Sequence, residues 1–159
     1  MNKFRVGFGY DVHQLIPGRD LIIGGVYINY HKGALGHSDA DVLLHTLADA
    51  LLGAAGLGDI GTHFPDTDSK FKDFDSKLIL NEVFTMIRDI GFHVNNVDTT
   101  VVLQEPKIKG YIPEMKSVIA SILDLEIDAV SVKATTNEHL GYIGNSEGIA
   151  AFAIVSIIG

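Results

Sequence analysis

Asp11 and His13, in the stretch GYDVHQL (9–15), stand two residues apart on a segment that reads as the end of an apolar strand. Alternate side chains of an extended chain share a face, so this carboxylate and imidazole lie within about 7 Å of each other at the backbone, close enough for one ion. Alone, such a pair is also satisfied by a hydrogen bond at a strand end. His45 adds a third donor, in the middle of an almost wholly apolar helical stretch. Burying an imidazole there without a partner costs about 1–3 kcal/mol. Asp41 and Asp49 stand one turn before and after it, either able to hold its tautomer. Two imidazoles and a carboxylate, in a chain without cysteine, suit Zn²⁺ with an open fourth position, and Mn²⁺ or Fe²⁺ would accept the same set.

Other groups are suited to anions and hydroxyls. His37 and Ser38 are expected at the N-terminus of the helix that carries His45, where unpaired N–H groups and the helix dipole favour an anion. In GDIGTHFPDTD, Asp59, Asp66 and Asp68 either form turns or accept hydrogen bonds from substrate hydroxyls. KATTNEHLGYIG (133–144) follows a strand with Lys133, Thr135, Thr136, Asn137 and Glu138. Its hydroxyls suit phosphate oxygens, and Glu138 suits a divalent ion bridging phosphates. Lys107 and Lys109 in QEPKIKGY are solvated loop charges or a grip on a nucleotide phosphate. His31, His63, His93 and His139 have no spacing partners and read as surface or loop residues. Neither G-x-x-x-x-G-K-[ST] nor G-x-G-x-x-G occurs, which argues against a P-loop or a dinucleotide-binding fingerprint.

The elements that must position these groups follow from periodicity. Residues 3–8, 21–23 and 26–28 read as short strands, with Gly24-Gly25 a turn or a bulge. HSDADVLLHTLADALLGAAG reads as a largely buried helix with Ser38 as N-cap, Asp41 completing a capping-box-like pair, and Gly53 or Gly56 at its end. Residues 57–75 form a long polar loop. Leu78, Ile79, Val83, Met86, Ile87 and Ile90 recur at helical spacing up to Gly91. A strand at 97–103, a Pro-containing loop, a helix with Pro113 in its first turn, and strands at 130–135 and 149–158 complete the chain. One α/β or α+β domain is the economical reading. The last strand is apolar nearly throughout, so both its faces are expected to be covered, partly by another subunit.

At 159 residues, 47% apolar and 20% charged, the chain can bury a proper core. Its formal charge of −8 repels nucleic acid and anionic membrane except at a local patch, so an anionic substrate needs a local positive centre. No segment approaches about 18 consecutive apolar residues and the N-terminus lacks leader character, which predicts a soluble, cytoplasmic protein.

Taken together, GYDVHQL, IIGGV, GHSDADVLLHTLADALLGAAGLGDIG, HFPDTD and VKATTNEHLGYIG resemble, in order and spacing, the 2-C-methyl-D-erythritol 2,4-cyclodiphosphate synthases, with a likeness running from about Arg5 to Ile157. The resemblance implies an α+β, sandwich-like domain over residues 1–159, with one mainly four-stranded sheet and helices packed on one face. It also implies a homotrimer whose sheets face the three-fold axis and whose active sites lie between subunits. The implied reaction converts 4-diphosphocytidyl-2-C-methyl-D-erythritol 2-phosphate into the cyclic diphosphate with release of CMP.

By the same resemblance, Asp11, His13 and His45 match zinc ligands, and His37 and Thr136 match the groups that stabilise the transition state. Asp59, Ile60 and Gly61, with the turn Phe64, Pro65, Asp66, Thr67 and Asp68, match the part that holds the erythritol, and Ser38 matches a substrate-binding residue. The Leu103–Lys109 loop, with Leu103, Pro106, Lys107, Ile108 and Lys109, and the segment Thr135–Glu138, with Thr135 and Asn137, match the part that takes the cytidine and its phosphates, and Ala134 and Tyr142 match further substrate-binding residues. Glu138 is placed to serve Mg²⁺ or Mn²⁺. Two positions depart from the pattern. Asn145 stands where Arg is frequent, on the wall of an axial channel able to take an isoprenoid diphosphate, and Glu105 stands where a small residue is frequent. The ligand trio alone would also serve a metal-assisted phosphoesterase or a trimeric binding module with a structural metal.

Overall fold

The computed structural model describes residues 3–65 and 74–159. Strand β1 (Phe4–Pro17) is much longer than the apolar pattern suggests, because it pairs antiparallel with β7 (Gly148–Ile158) from Phe4 to Gln14. Asp11 and His13 therefore lie within the strand and not at its end. The pair β2 (Leu21–Ile23) and β3 (Val26–Ile28) forms a two-residue hairpin. Gly24 and Gly25 both have positive φ, 61° and 75°, so they make a turn and not a bulge. The short β4 (Lys32–Ala34) pairs with the far end of β1.

The α+β class holds, with five strands in the main sheet instead of mainly four. Their order is β4-β1-β7-β5-β6, where β5 is His93–Val102 and β6 is Val130–Thr135. Among the described residues, only the β5–β6 pair is parallel. It is the pair joined by a helical crossover, α4 (Ile112–Leu123). The fifth strand is the three-residue β4, too short to leave a periodic signal.

Helix α1 (Val42–Ala55) carries His45 and is apolar on most sides because it lies between β1, β7 and a second helix, α3 (Ser76–Asp89). Leu43, Leu44, Leu47, Leu51 and Leu52 are essentially without exposure. Its N-cap is Asp41 and not Ser38. The Asp41 carboxylate accepts from Leu43 N and Leu44 N, each at 3.1 Å, and also from Gly24 N at 2.9 Å and Gly25 N at 2.6 Å. Four donors from two elements outbid the local Ser38 signal, so His37 and Ser38 belong to the loop before the helix. The far end closes at Gly56, in the left-handed conformation.

The polar stretch after α1 contains one helical turn, α2 (Ile60–His63), capped by Asp59, and the glycine-punctuated loop after β6 contains another, α5 (Gly141–Gly144). On β7, Phe152 and Ile154 are 40% and 52% exposed. This is the face open within one chain, where cover by another subunit is expected.

Candidate metal centre and its cavity

Helix α1 reaches the sheet because β1 has glycine at positions 7 and 9. A Cβ on Gly7 would run into the Ala50 carbonyl oxygen, and one on Gly9 into that of Thr46. The helix backbone therefore rests directly on the strand, and His45 comes down beside the next two inward-facing residues of β1, Asp11 and His13. His13 Nε2 lies 3.0 Å from Asp11 Oδ2, His45 Nδ1 lies 3.2 Å from the same oxygen, and the two nitrogens are 3.3 Å apart. For bonds of about 2.0–2.1 Å, the edge of a tetrahedral zinc site is about 3.3–3.4 Å. The triangle is already at nearly that size.

The outer nitrogens settle where the protons go. His13 Nδ1 lies 3.0 Å from the Leu35 carbonyl and must donate to it. His45 Nε2 faces Ser76 Oγ at 2.8 Å and Ser38 Oγ at 3.2 Å. With a proton on each outer nitrogen, the two inner nitrogens and the carboxylate direct three lone pairs at one point, a donor set that fits a divalent ion. The electrostatics agree. Burial alone would raise the Asp11 carboxyl, but without a metal the two imidazoles, when they carry protons on their inner nitrogens, hold it well below the usual carboxylate range. Burial would lower the His13 imidazole, and the Asp11 carboxylate raises it. This cluster attracts positive charge.

The carboxylates expected to hold the His45 tautomer do neither job. Asp41 is used up by backbone donors, and Asp49 accepts from Ile60 N at 2.7 Å, which ties α2 to α1. Ser76, the first residue of α3, takes the place expected for them. It follows Asp75, which caps α3 by accepting from Lys77 N, so the local pattern marks it only as an ordinary first-turn residue.

The triangle lies in a cavity of about 370 Å³ that is also lined by His37, Ser38, Asp49, Ile60, Gly61 and Phe64. Asp59 does not line this cavity but caps α2: its Oδ1 accepts from Thr62 N at 2.9 Å and Thr62 Oγ1 at 2.8 Å, and these bonds lower its pKa. Pro65 is half-buried next to Phe64. Asp66, Thr67 and Asp68 lie outside the described residues.

A second cavity, of about 160 Å³, is lined by Leu103, Gln104, Pro106, Lys107, Ile108, Lys109, Ala134, Thr135 and Thr136. Leu103 N donates to Thr135 O at 3.1 Å and His139 N to Gln104 Oε1 at 3.1 Å, so two loops far apart in sequence form one wall. Gln104 belongs to the Leu103–Lys109 loop matched to the cytidine side, whereas His139, read as a surface or loop residue, carried no signal for this contact. Thr136 Oγ1 donates to Glu138 Oε1 at 3.1 Å, while Asn137 Nδ2 is turned onto the Leu140 carbonyl at 2.6 Å. Tyr142 lines neither of these cavities but a third, beside His13, Gln14 and Glu147. His63, read as a surface or loop residue, is half-buried and donates to the Leu57 carbonyl at 2.8 Å.

Cross-strand register places the two main cavities relative to each other. Asp11 is opposite Ala151, Ala151 opposite Val101, and Val101 opposite Ala134. Three strand spacings, about 14 Å, separate the strand of the donor triangle from the hydroxyl-bearing one.

Known proteins are similar to this one along nearly the whole chain. The 2-C-methyl-D-erythritol 2,4-cyclodiphosphate synthase of Geobacillus kaustophilus (strain HTA426) is 59% identical over 152 residues, covering 96% of each chain. The synthase of Burkholderia mallei (strain SAVP1) is 57% identical over 155 residues, covering 98% of this chain and 96% of that one. Among solved structures, the Plasmodium falciparum IspF CDP complex superposes with a TM-score of 0.87 at 35% identity, over 99% of this chain and 97% of that one. The bifunctional IspDF of Campylobacter jejuni superposes with a TM-score of 0.95 at 46% identity, over 99% of this chain but 43% of that longer one. The resemblance read from the five motifs is thus borne out, and since the YgbB family pattern matches residues 4–158, the chain belongs to the YgbB family.

Proposed function

We propose that residues 1–159 are a single cyclodiphosphate synthase domain, a phosphorus–oxygen lyase of non-mevalonate isoprenoid precursor biosynthesis. In this reading the substrate is 4-diphosphocytidyl-2-C-methyl-D-erythritol 2-phosphate. An oxygen of its 2-phosphate attacks the β-phosphorus of the same molecule and forms the new P–O bond. The bond from the β-phosphorus to the oxygen bridging it to the α-phosphorus breaks, CMP leaves with that oxygen, and 2-C-methyl-D-erythritol 2,4-cyclodiphosphate remains. The observation that carries the reading is the triangle of donors in a cavity shared with His37, Ser38, Ile60 and Gly61.

The chemistry asks mainly for alignment and charge, since a phosphate is the nucleophile and no strong general base is needed. A divalent metal at Asp11, His13 and His45, Zn²⁺ in this reading, supplies Lewis-acid charge to the phosphate oxygens gathered there. His37 and Ser38 offer donors to the same oxygens. The Ile60 and Gly61 backbone, with Phe64 to Asp68, holds the erythritol. Lys107 and Lys109 neutralise the diphosphate, and Leu103, Pro106, Ile108, Ala134, Thr135 and Asn137 enclose the cytidine side. Thr136 donates to phosphate as charge develops, and Glu138 would hold Mg²⁺ or Mn²⁺ with the phosphates.

The reading includes a cytoplasmic homotrimer that binds neither nucleic acid nor membrane. Two observations support the assembly. The outward face of β1 carries Phe4, Val6, Phe8, Tyr10 and Val12, all exposed beside Phe152 and Ile154 of β7, an apolar stripe of the kind that marks an interface. The second is that the two main cavities share no lining residue within one chain. A site completed across a subunit boundary would join them.

Incubating the protein with the cytidine substrate, with and without a chelator, tests the reaction. The expected products are CMP and the cyclic diphosphate, both lost on chelation and restored by Zn²⁺. A linear monophosphate in place of the cyclic product would assign the chain to phosphoester hydrolysis instead.

A further inference from the structure

We propose that Asp39 and Ser76 form a positioning relay that decides which ring nitrogen His45 presents to the metal and tightens the metal's hold; this rests on the metal reading of the site. Ser76 is fully buried at the start of α3. Its Oγ is 2.8 Å from His45 Nε2 and in close contact with Asp39 Oδ1. Asp39 is fixed as an acceptor by the backbone. Its Oδ2 receives Ser76 N at 3.1 Å, its Oδ1 receives Asp41 N at 3.2 Å, and its own N–H is held by the Phe74 carbonyl at 3.3 Å.

With a single proton on the His45 ring, one arrangement satisfies every member of the relay. Both Asp39 oxygens already accept backbone N–H groups, so the Ser76 hydroxyl is the member placed to donate to Asp39. The Ser76 oxygen is then left to accept, and the remaining partner in reach is a proton on His45 Nε2. That leaves the lone pair on Nδ1, the nitrogen 3.2 Å from Asp11 Oδ2 and 3.3 Å from His13 Nε2. The reverse arrangement, with Ser76 donating to Nε2, would press a carboxylate oxygen against a hydroxyl oxygen with no proton between them. A carboxylate one hydroxyl removed from a ligand imidazole also raises the basicity of the ligating nitrogen. Ser38 gains a defined role as well. Its oxygen accepts from Ala40 N at 3.0 Å and its proton cannot go to a protonated Nε2, so its O–H is available to an anion in the cavity.

The relay joins three elements: the loop that carries His37 and Ser38, the first turn of α3, and α1. Sequence pattern gives no hint of it, because Asp39 and Ser76 are 37 residues apart and each resembles an ordinary loop or helix-start residue.

The test reads tautomer and metal affinity rather than turnover. Long-range ¹⁵N–¹H NMR of the wild-type protein should show His45 protonated at Nε2, both metal-free and zinc-loaded. Zinc competition against a chromophoric chelator should show Ser76→Ala and Asp39→Asn weakened about 10- to 100-fold, with Ser76→Thr, which keeps the hydroxyl, within about threefold of wild type. A purely structural role for Ser76 would lower the urea midpoint of the metal-free protein and leave zinc affinity in place. Protonation of His45 at Nδ1 in the wild type, or zinc affinity within about twofold of wild type in both weakened variants, overturns the relay. Should Ser76→Ala fail to fold, the wild-type tautomer and Asp39→Asn decide. A wild-type chain that takes up no zinc would instead remove the metal reading, and the metal-free tautomer would still report on the relay.

Discussion

Gly9 and Thr46 touch backbone to backbone: a Cβ at residue 9 would overlap the Thr46 carbonyl oxygen and stand 3.0 Å from Ala50 N. This closeness sets the height of α1 above the sheet, and with it the reach of His45, one residue before Thr46, toward Asp11 and His13. Gly9→Ala is therefore expected to lift the helix. Overpacking of this kind costs about 1–3 kcal/mol, and here it also separates the donors. Urea unfolding of the metal-free protein should show the loss, and metal analysis should show occupancy well below one ion per chain. A variant with wild-type stability and full metal content would mean that the glycine is not what brings the donors together.

Asp41 makes a prediction about pH. Burial pushes its carboxyl up to about 6 from the ordinary 3.8, and the nearby Asp39 adds to the push while N–H donors from Gly25, Leu44 and Gly24 oppose it. The native state thus holds a proton at Asp41 more tightly than the unfolded state does. The resulting stability is complete below pH 3.8 and is lost as pH rises through about 6. Asp41→Asn has no proton to lose there. The stability of wild type minus that of Asp41→Asn should fall between pH 4.5 and 7, by on the order of 1–2 kcal/mol. Paired urea titrations at several pH values measure this difference, and contributions common to both proteins, including the His and Asp11 cluster, cancel. A difference that stays flat or grows with pH would show that the four N–H donors outweigh burial.

What could be read from the chain and what could not divide along a physical line. His45 was legible because an imidazole in an apolar helix is costly, and Asp11 with His13 because alternation puts them on one face. The C-terminal end of α1 was legible within a few residues because a left-handed glycine closes a helix locally. Its start was not: Ser38 and Asp41 are both good N-caps, and the choice falls to Asp41 through Gly24 and Gly25, which sequence proximity cannot reveal. Strand β1 was underestimated because Gly7, Gly9, Asp11 and His13 interrupt the apolar signal on its inward face, the very residues that admit α1 and serve the site. Ser76 was missed for the same reason as the hairpin contact to Asp41. Its importance lies in what it touches, and nothing in its own neighbourhood along the chain signals it.

If sites are completed between subunits, two inactive proteins should repair each other. His45→Ala destroys the metal half of a site and leaves the Lys107, Thr135 and Thr136 cavity intact. Thr136→Ala does the opposite, and it removes only an exposed hydroxyl whose partner is Glu138. Each variant alone is expected to assemble, His45→Ala without bound zinc and Thr136→Ala with it, and each to release little CMP. Denatured together in equal amounts and refolded, they form mixed rings. In these, about a quarter of the boundaries pair a metal half from the Thr136 variant with a nucleotide half from the His45 variant, since each half is drawn independently in a closed cyclic assembly. CMP release should then recover to about a quarter of the wild-type rate per chain. Introducing Phe8→Lys into both partners puts a charge into the exposed stripe of β1. It should give smaller species in sedimentation velocity, and the recovered activity should disappear while zinc still binds the Thr136 variant. Mixing that restores no activity, in rings shown by sedimentation to contain both variants, would place both halves of each site within one chain, and the 14 Å between Asp11 and Ala134 would then have to be bridged by the substrate alone.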